Sequence, residues 1–222
     1  MRRVLRENGL SVVLVSLFLL CWVGLSVVGN HEYNSERQEH GQHGLAYFSY
    51  LGSAHFWEAT TENWESEFLQ IFAYVLLTAF LFQKGSAESK KLDEPEPVDR
   101  EPRRKRKQEN VPGPVRRGGL ALKLYEHSLS LAFLLLFLVS ITMHAVSGAS
   151  EYNQEQAARG DSTALSALQY AGTSRFWYES FQNWQSEFLA IAAVVLLSIF
   201  LRQRGSPESK PVDSPHSETG TQ

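Results

Sequence analysis

Residues 10–28 read LSVVLVSLFLLCWVGLSVV and residues 128–146 read SLSLAFLLLFLVSITMHAV, two runs of nineteen positions in which His144 is the only titratable group besides Cys21. As helices rising about 1.5 Å per residue, each covers roughly the 30 Å hydrocarbon core of a bilayer. Each is followed by a shorter apolar run, at 68–82 and 188–201. All 8 prolines of the 222-residue chain lie outside these runs. A mean hydropathy of −0.23 therefore conceals a segregated sequence. The segregation predicts an all-α integral membrane protein with four transmembrane helices. The single Cys21 excludes an intrachain disulfide framework and an all-cysteine metal site, and a net charge of −3 gives no general attraction to nucleic acid.

Arg2, Arg3 and Arg6 ahead of the first run also fit a secretory leader cleaved near Val27-Val28-Gly29. Such leaders, however, have apolar cores of only ~7–15 residues. The flanks of the two long runs decide between these readings. Glu7-Asn8-Gly9-Leu10-Ser11 corresponds to Glu126-His127-Ser128-Leu129-Ser130, and Glu32-Tyr33-Asn34 recurs at the same offset as Glu151-Tyr152-Asn153. After one inserted residue, Phe56-Trp57, Asn63-Trp64 and Ser66-Glu67-Phe68-Leu69 recur as Phe176-Trp177, Asn183-Trp184 and Ser186-Glu187-Phe188-Leu189. Gln83, Gly85-Ser86 and Glu88-Ser89-Lys90 recur as Gln203, Gly205-Ser206 and Glu208-Ser209-Lys210. The chain reads as a tandem duplication of a helix, an outer loop and a helix. An internal twin makes the first run a membrane helix rather than a leader.

This reading divides the chain into a first hairpin repeat at 1–90 with helices about 10–28 and 63–82, and a linker at 91–119. A second repeat at 120–205 has helices about 128–146 and 183–201, and a tail follows at 206–222. The shorter apolar runs need upstream residues to complete a span. Gly52-Ser53 and Gly172-Thr173 supply helix-start signals, with Ser53 and Thr173 as N-caps. All but three of the 21 Lys and Arg (Arg37, Arg159 and Arg175) lie in the N-terminus, the stretch 83–123 or the tail. By the positive-inside rule both termini and the linker are cytoplasmic, the outer loops face outward, and the hairpins are parallel rather than inverted repeats.

The linker holds Pro95, Pro97, Pro102, Pro112 and Pro114, with Asp93, Glu94, Glu96 and Asp99 ahead of Arg103-Arg104-Lys105-Arg106-Lys107. So polar a segment buries too little to offset chain ordering and is expected to be flexible, as is the Pro- and Ser-rich tail. The basic run reads either as a topology determinant or as a contact to anionic lipid, at about 1 kcal/mol per residue near the surface. No aromatic residue interleaves with it, which argues against a nucleic-acid partner.

On a helix, Asn63, Glu67, Gln70, Tyr74 and Thr78 fall within an arc of about 80°. Their counterparts are Asn183, Glu187, Ala190, Val194 and Ser198. The candidate functional face is therefore Asn63, Glu67, Thr78, Asn183, Glu187 and Ser198. Two readings stand for the glutamates. Related by the duplication, Glu67 and Glu187 approach across a pseudo-symmetry axis and share a proton or hold a cation. Alternatively each lies in the wet headgroup layer, with Trp57, Trp64, Trp177 and Trp184 as interfacial anchors.

His31, His40, His43 and His55 share the first outer loop, but Ser150, Arg159 and Arg175 stand opposite His31, His40 and His55 in the second. A metal centre is not expected, nor any cofactor, and His144 reads as a packed or snorkelling residue. No phosphate loop, nucleophile elbow, His-Glu-x-x-His or dinucleotide fingerprint is present, so no enzyme is indicated.

The repeated Glu-x-x-Leu-Ser, Glu-Tyr-Asn, Asn-Trp-x-Ser-Glu-Phe-Leu and Gln-Lys/Arg-Gly-Ser-x-Glu-Ser-Lys resemble a family of uncharacterised bacterial membrane proteins classed as a domain of unknown function. The resemblance covers both repeats and implies a location in the bacterial cytoplasmic (inner) membrane; it carries no catalytic residues with it. The expected function is a noncatalytic envelope scaffold or sensing protein, with the bilayer and a second copy or a membrane protein as partners. The alternative is a small transporter or channel using Glu67 and Glu187. A metal-dependent membrane enzyme comes third.

Overall fold

The computed structural model describes residues 2–108, 110–160 and 163–220, with side chains from residue 6. It is helical, with no strand among the described residues. Helix α1 spans Arg2–Glu39 and is broken at Asn8 (φ −130°, ψ 20°). Further along, α5 (Gly119–Glu126) ends at His127 (φ −112°, ψ 11°) and α6 (Ser128–Ala158) begins at once. Asn8 and His127 are equivalent in the repeated sequence, so the same backbone break precedes both long apolar runs.

Both long helices continue well past their apolar runs, to Glu39 and Ala158. The segments beyond residues 28 and 146 lack proline and contain Glu, Gln and Ala, which favour helix. The outer connections are correspondingly shorter than the sequence alone implies. Gly41 (φ 72°) and Gly160 (φ 82°) end the helices in the left-handed region, where a side chain is disfavoured. The Gly41 N–H donates to Gln38 O at 3.0 Å, and the Gly160 N–H to Ala157 O at 3.1 Å.

Short helices follow: α2 (Tyr47–Leu51) leads into α3 (Ala54–Phe80), and α7 (Ala167–Tyr170) into α8 (Ser174–Leu197). Both expected caps are present. Ser53 Oγ accepts from the Phe56 N–H at 3.2 Å, and Thr173 Oγ1 from the Phe176 N–H at 3.3 Å. The linker forms 3₁₀ turns at Pro97–Asp99 and Pro102–Lys105 and a short helix, α4 (Gly113–Arg117). The tail, which its composition marks as unstructured, is described to residue 220 as turns. Lys210 organises it: its Nζ donates to the carbonyls of Pro215, His216 and Glu218 at 3.3, 3.1 and 2.8 Å.

The chain forms two compact units, Met1–Thr60 with Met143–Tyr170, and Thr61–Thr142 with Ala171–Gln222. The first is built around Tyr33, Tyr50 and Phe56, against which Trp22, Leu45, Leu51 and Trp57 pack. In the second, Phe68 meets Phe133 and Phe137 meets Trp184, with ring centroids 6.4 and 6.2 Å apart.

Among the described residues two helices, within Arg6–Glu39 and Ser128–Ala158, are long and apolar enough to cross a membrane. This is fewer than the four the sequence reading expects. α3 and α8 carry acidic and amide side chains through their first halves, so their apolar stretches are too short to qualify by length and composition.

In the first unit Gly148 faces Tyr170. A Cβ there would lie 2.5 Å from the tyrosine Cε1 and 3.0 Å from Glu58 Oε1. Gly148→Ala is expected to destabilise the protein by about 1–3 kcal/mol through overpacking, read as a lowered thermal midpoint in detergent; an unchanged midpoint would contradict the close approach.

Candidate functional site

The Glu-Tyr-Asn motif closes each outer turn of the first unit. Asn34 Nδ2 donates to Leu45 O at 2.9 Å while its Oδ1 accepts from the Leu45 N–H at 2.6 Å. Asn153 makes the same pair with Leu165, at 2.9 and 2.8 Å. A carboxamide offers a donor and an acceptor side by side, so it satisfies both main-chain groups of one residue as a neighbouring strand would. The residue inserted in the second repeat falls inside this clasped turn, and the two bonds close around either length.

Below each clasp a tyrosine seats on the long helix. Tyr50 packs over Gly29 and Tyr170 over Gly148, both phenols fully buried. Tyr33 and Tyr152, the central residues of the two motifs, lie against them with ring centroids 5.7 and 6.0 Å apart. Burial pushes the Tyr50 hydroxyl up to about 12, and the Glu151 carboxylate adds in the same direction. His55 stacks on Tyr33 at 4.7 Å. Burial holds its imidazole below the usual value, against the opposing pull of Glu36 and Glu155.

The same unit buries His144, which the sequence reading takes as packed or snorkelling, and Glu58, which it does not single out. His144 is fully buried, with an imidazole nitrogen within 4.8 Å of a Glu58 carboxylate oxygen. Tyr170 Oη donates to Glu58 Oε1 at 3.4 Å. An imidazole beside a carboxylate is suited to exchanging a proton or to ligating a transition metal. The first-loop histidines form no such group among the described residues: His40 Nδ1 pairs with Glu36 O at 2.8 Å, and His55 is held in the aromatic stack.

In the second unit the expected polar face is brought together only at its outer end. Asn63 and Glu67 are exposed and Asn183 and Glu187 half-buried. The charge of Glu67 reaches the Glu187 carboxylate. Asn183 Nδ2 donates to Glu62 Oε1 at 2.6 Å, and Gln70 Nε2 to Glu187 O at 2.7 Å. Thr78 is spent within its own helix, on Tyr74 O at 2.9 Å, whereas Ser198 Oγ meets Ser86 Oγ at 2.9 Å.

The fully buried carboxylate is Glu65, two residues from Glu67, and it accepts from Trp184 Nε1 at 3.0 Å. Trp184, itself half-buried, is thereby tied to a buried carboxylate. Trp57 and Trp64 are half-buried, and Trp177 is the exposed member of the four. Glu65 lies off the repeated polar arc and has Gln185 as its twin, so only the rotational phase of α3 against its neighbours distinguishes it.

The Gln-Lys/Arg-Gly-Ser-x-Glu-Ser-Lys motifs fold alike. Ser89 Oγ and Ser209 Oγ each accept, at 2.9 Å, from the N–H of Gln83 and Gln203. A cavity of about 820 Å³ is lined by Thr78, Glu88, Lys90, Asp99, Glu208 and Gly220. Tyr74 Oη donates to Glu88 Oε2 at 2.6 Å. Burial raises the Glu88 carboxyl above the usual range; the tyrosine hydrogen bond opposes this and the adjacent Glu208 reinforces it.

A family model described as a domain of unknown function, DUF6766, matches residues 1–221. No curated protein and no solved structure matches the chain.

Asn34→Ala and Asn153→Ala each strip one residue's main-chain donor and acceptor of their partners, an expected loss of about 1–3 kcal/mol. Hydrogen exchange at Leu45 and Leu165 should accelerate in the matching variant alone.

His55 provides a pH test. Its folded-state pKa is below its unfolded value of ~6.5, so its contribution is present above that pH and is lost as pH falls below it. Protection of the 40–55 segment should therefore weaken as pH falls below ~6.5, and His55→Gln should flatten that acid limb. A limb unchanged by the substitution would assign it to other groups.

Proposed function

The chain belongs to the DUF6766 family, whose description carries no activity, and we propose for it a noncatalytic role as a scaffold or sensor in the membrane, presenting the clasped outer turns. The observation that carries this reading is the clasp itself, built twice from the same residues: Asn34 on Leu45 and Asn153 on Leu165. A surface fixed in duplicate is suited to binding.

Membrane insertion is supported by exposure. The most apolar windows of α1 and α6 are only 6% and 17% buried, whereas a core helix of a water-soluble protein would hide such surface. In this reading α3 and α8 complete the spans through 68–82 and 188–201, giving two parallel hairpins derived by duplication. Both termini and the linker are cytoplasmic, in the inner membrane of a bacterium. The exposed side chains from Arg103 to Lys107 contact anionic lipid, and a second copy or another membrane protein is the partner.

A second reading, a small transporter or channel, is favoured by one observation: fully buried Glu65 lies just ahead of an apolar helix segment and next but one to Glu67, whose charge reaches Glu187. Ionisable groups at such depth usually mark a pathway. Proteoliposome flux separates the two readings. The scaffold reading expects proton and cation permeability equal to that of empty vesicles for both the natural chain and Glu67→Gln/Glu187→Gln. It also expects Asn34→Ala/Asn153→Ala to abolish outer-turn crosslinks to a membrane partner in cells. A pH-dependent flux that the double glutamine variant removes would establish transport instead.

A further inference from the structure

The depth of the short helices follows from what they touch. α1 leaves its apolar run at residue 28, and Tyr50 of α2 packs on the next residue, Gly29. Tyr47 reaches deeper still, its hydroxyl meeting Ser26 Oγ, a buried group inside the apolar run, at 2.7 Å. In the second repeat Tyr170 of α7 packs on Gly148, two residues beyond the other run. After the clasps the chain thus descends beside the long helices, and α2 and α7 both lie level with the outer ends of the apolar segments.

At that level each short helix turns one large apolar side chain outward: Phe48 is 84% exposed and its counterpart Leu168 is 86% exposed. The surface continues into Val27, Val28 and Val146, also exposed. Neither YFSYL nor ALQY contains a charge. We infer that α2 and α7 rest in the outer headgroup layer of the bilayer, with Phe48 and Leu168 inserted as its anchors. A bilayer is a plane, so it meets two apolar positions at equal depth together and requires no match between their side chains, which differ here. Interfacial seating of short apolar-faced segments follows the physics of amphipathic surface helices.

The inference rests on the membrane reading, and the test separates their failures. Nitroxide labels are placed in a Cys21→Ser background at Phe48→Cys and Leu168→Cys, at His40→Cys and Arg159→Cys on the turns, and at Leu14→Cys and Leu135→Cys within the runs. The full chain is reconstituted in phospholipid vesicles, and collision with oxygen is compared with collision with a water-soluble nickel chelate. Expected is a several-fold excess of oxygen over chelate at 48 and 168, as at 14 and 135, with the reverse at 40 and 159. If 14 and 135 meet oxygen but 48 and 168 meet chelate, the anchors are refuted and the spans stand. Chelate access at 14 and 135 would overturn the membrane reading as well. Exclusion of both probes at 48 and 168 would place protein, not lipid, over these residues and also overturn the inference.

Discussion

Two carboxamides determine where the chain turns back on itself. A long helix that continues beyond its apolar segment offers few apolar groups, Tyr33 among them, to recapture the chain that leaves it. Asn34 and Asn153 solve this with directional bonds, each holding one residue's donor and acceptor at once. Once Leu45 and Leu165 are fixed, Tyr50 and Tyr170 reach Gly29 and Gly148. Ser53 is then delivered to the start of α3. Main-chain groups demand partners wherever they are taken from water, and here that demand acts with the packing of Leu45 on the Tyr33 core to set the return point.

Much of this plan was legible in the sequence where the cause is local. The caps at Ser53 and Thr173 follow from short polar side chains placed after glycine at the head of an amphipathic run, and both form. The two long apolar helices are equally plain from composition. The role of Asn34 is not, because its partner is a backbone group that any residue supplies, and the separation is 11 positions in one repeat and 12 in the other. A motif search sees the asparagine and cannot see the peptide it holds. The tail misleads for a related reason: its composition is that of a disordered segment, yet one lysine surrounded by three carbonyls fixes it.

Seeking residues shared by both repeats selects Glu67 with Glu187 and Asn63 with Asn183, and the Glu67 charge reaches Glu187. It discards whatever the repeats do not share. Glu58, Glu65 and His144 are buried, yet their counterparts in the other repeat are Tyr178, Gln185 and Leu25, of which the tyrosine, 70% exposed, and the leucine lie largely in the open. Internal symmetry finds the scaffold of such a protein and conceals its specialisations.

That asymmetry bears on what α3 and α6 do. A polar side chain is costly to bury unless it is paired, and α3 carries Glu58, Thr60, Thr61, Glu65, Ser66 and Gln70, all buried. α8, its twin, exposes Trp177, Tyr178, Phe181 and Leu189 over much of the same length. α3 thus buries ionisable groups where its counterpart in sequence turns apolar side chains outward. The cost of that burial is offset by specific bonds, Trp184 to Glu65 being one. Stability alone would be served as well by apolar residues of similar volume. Two buried carboxylates on one helix therefore make α3 the element whose polar groups folding alone does not account for.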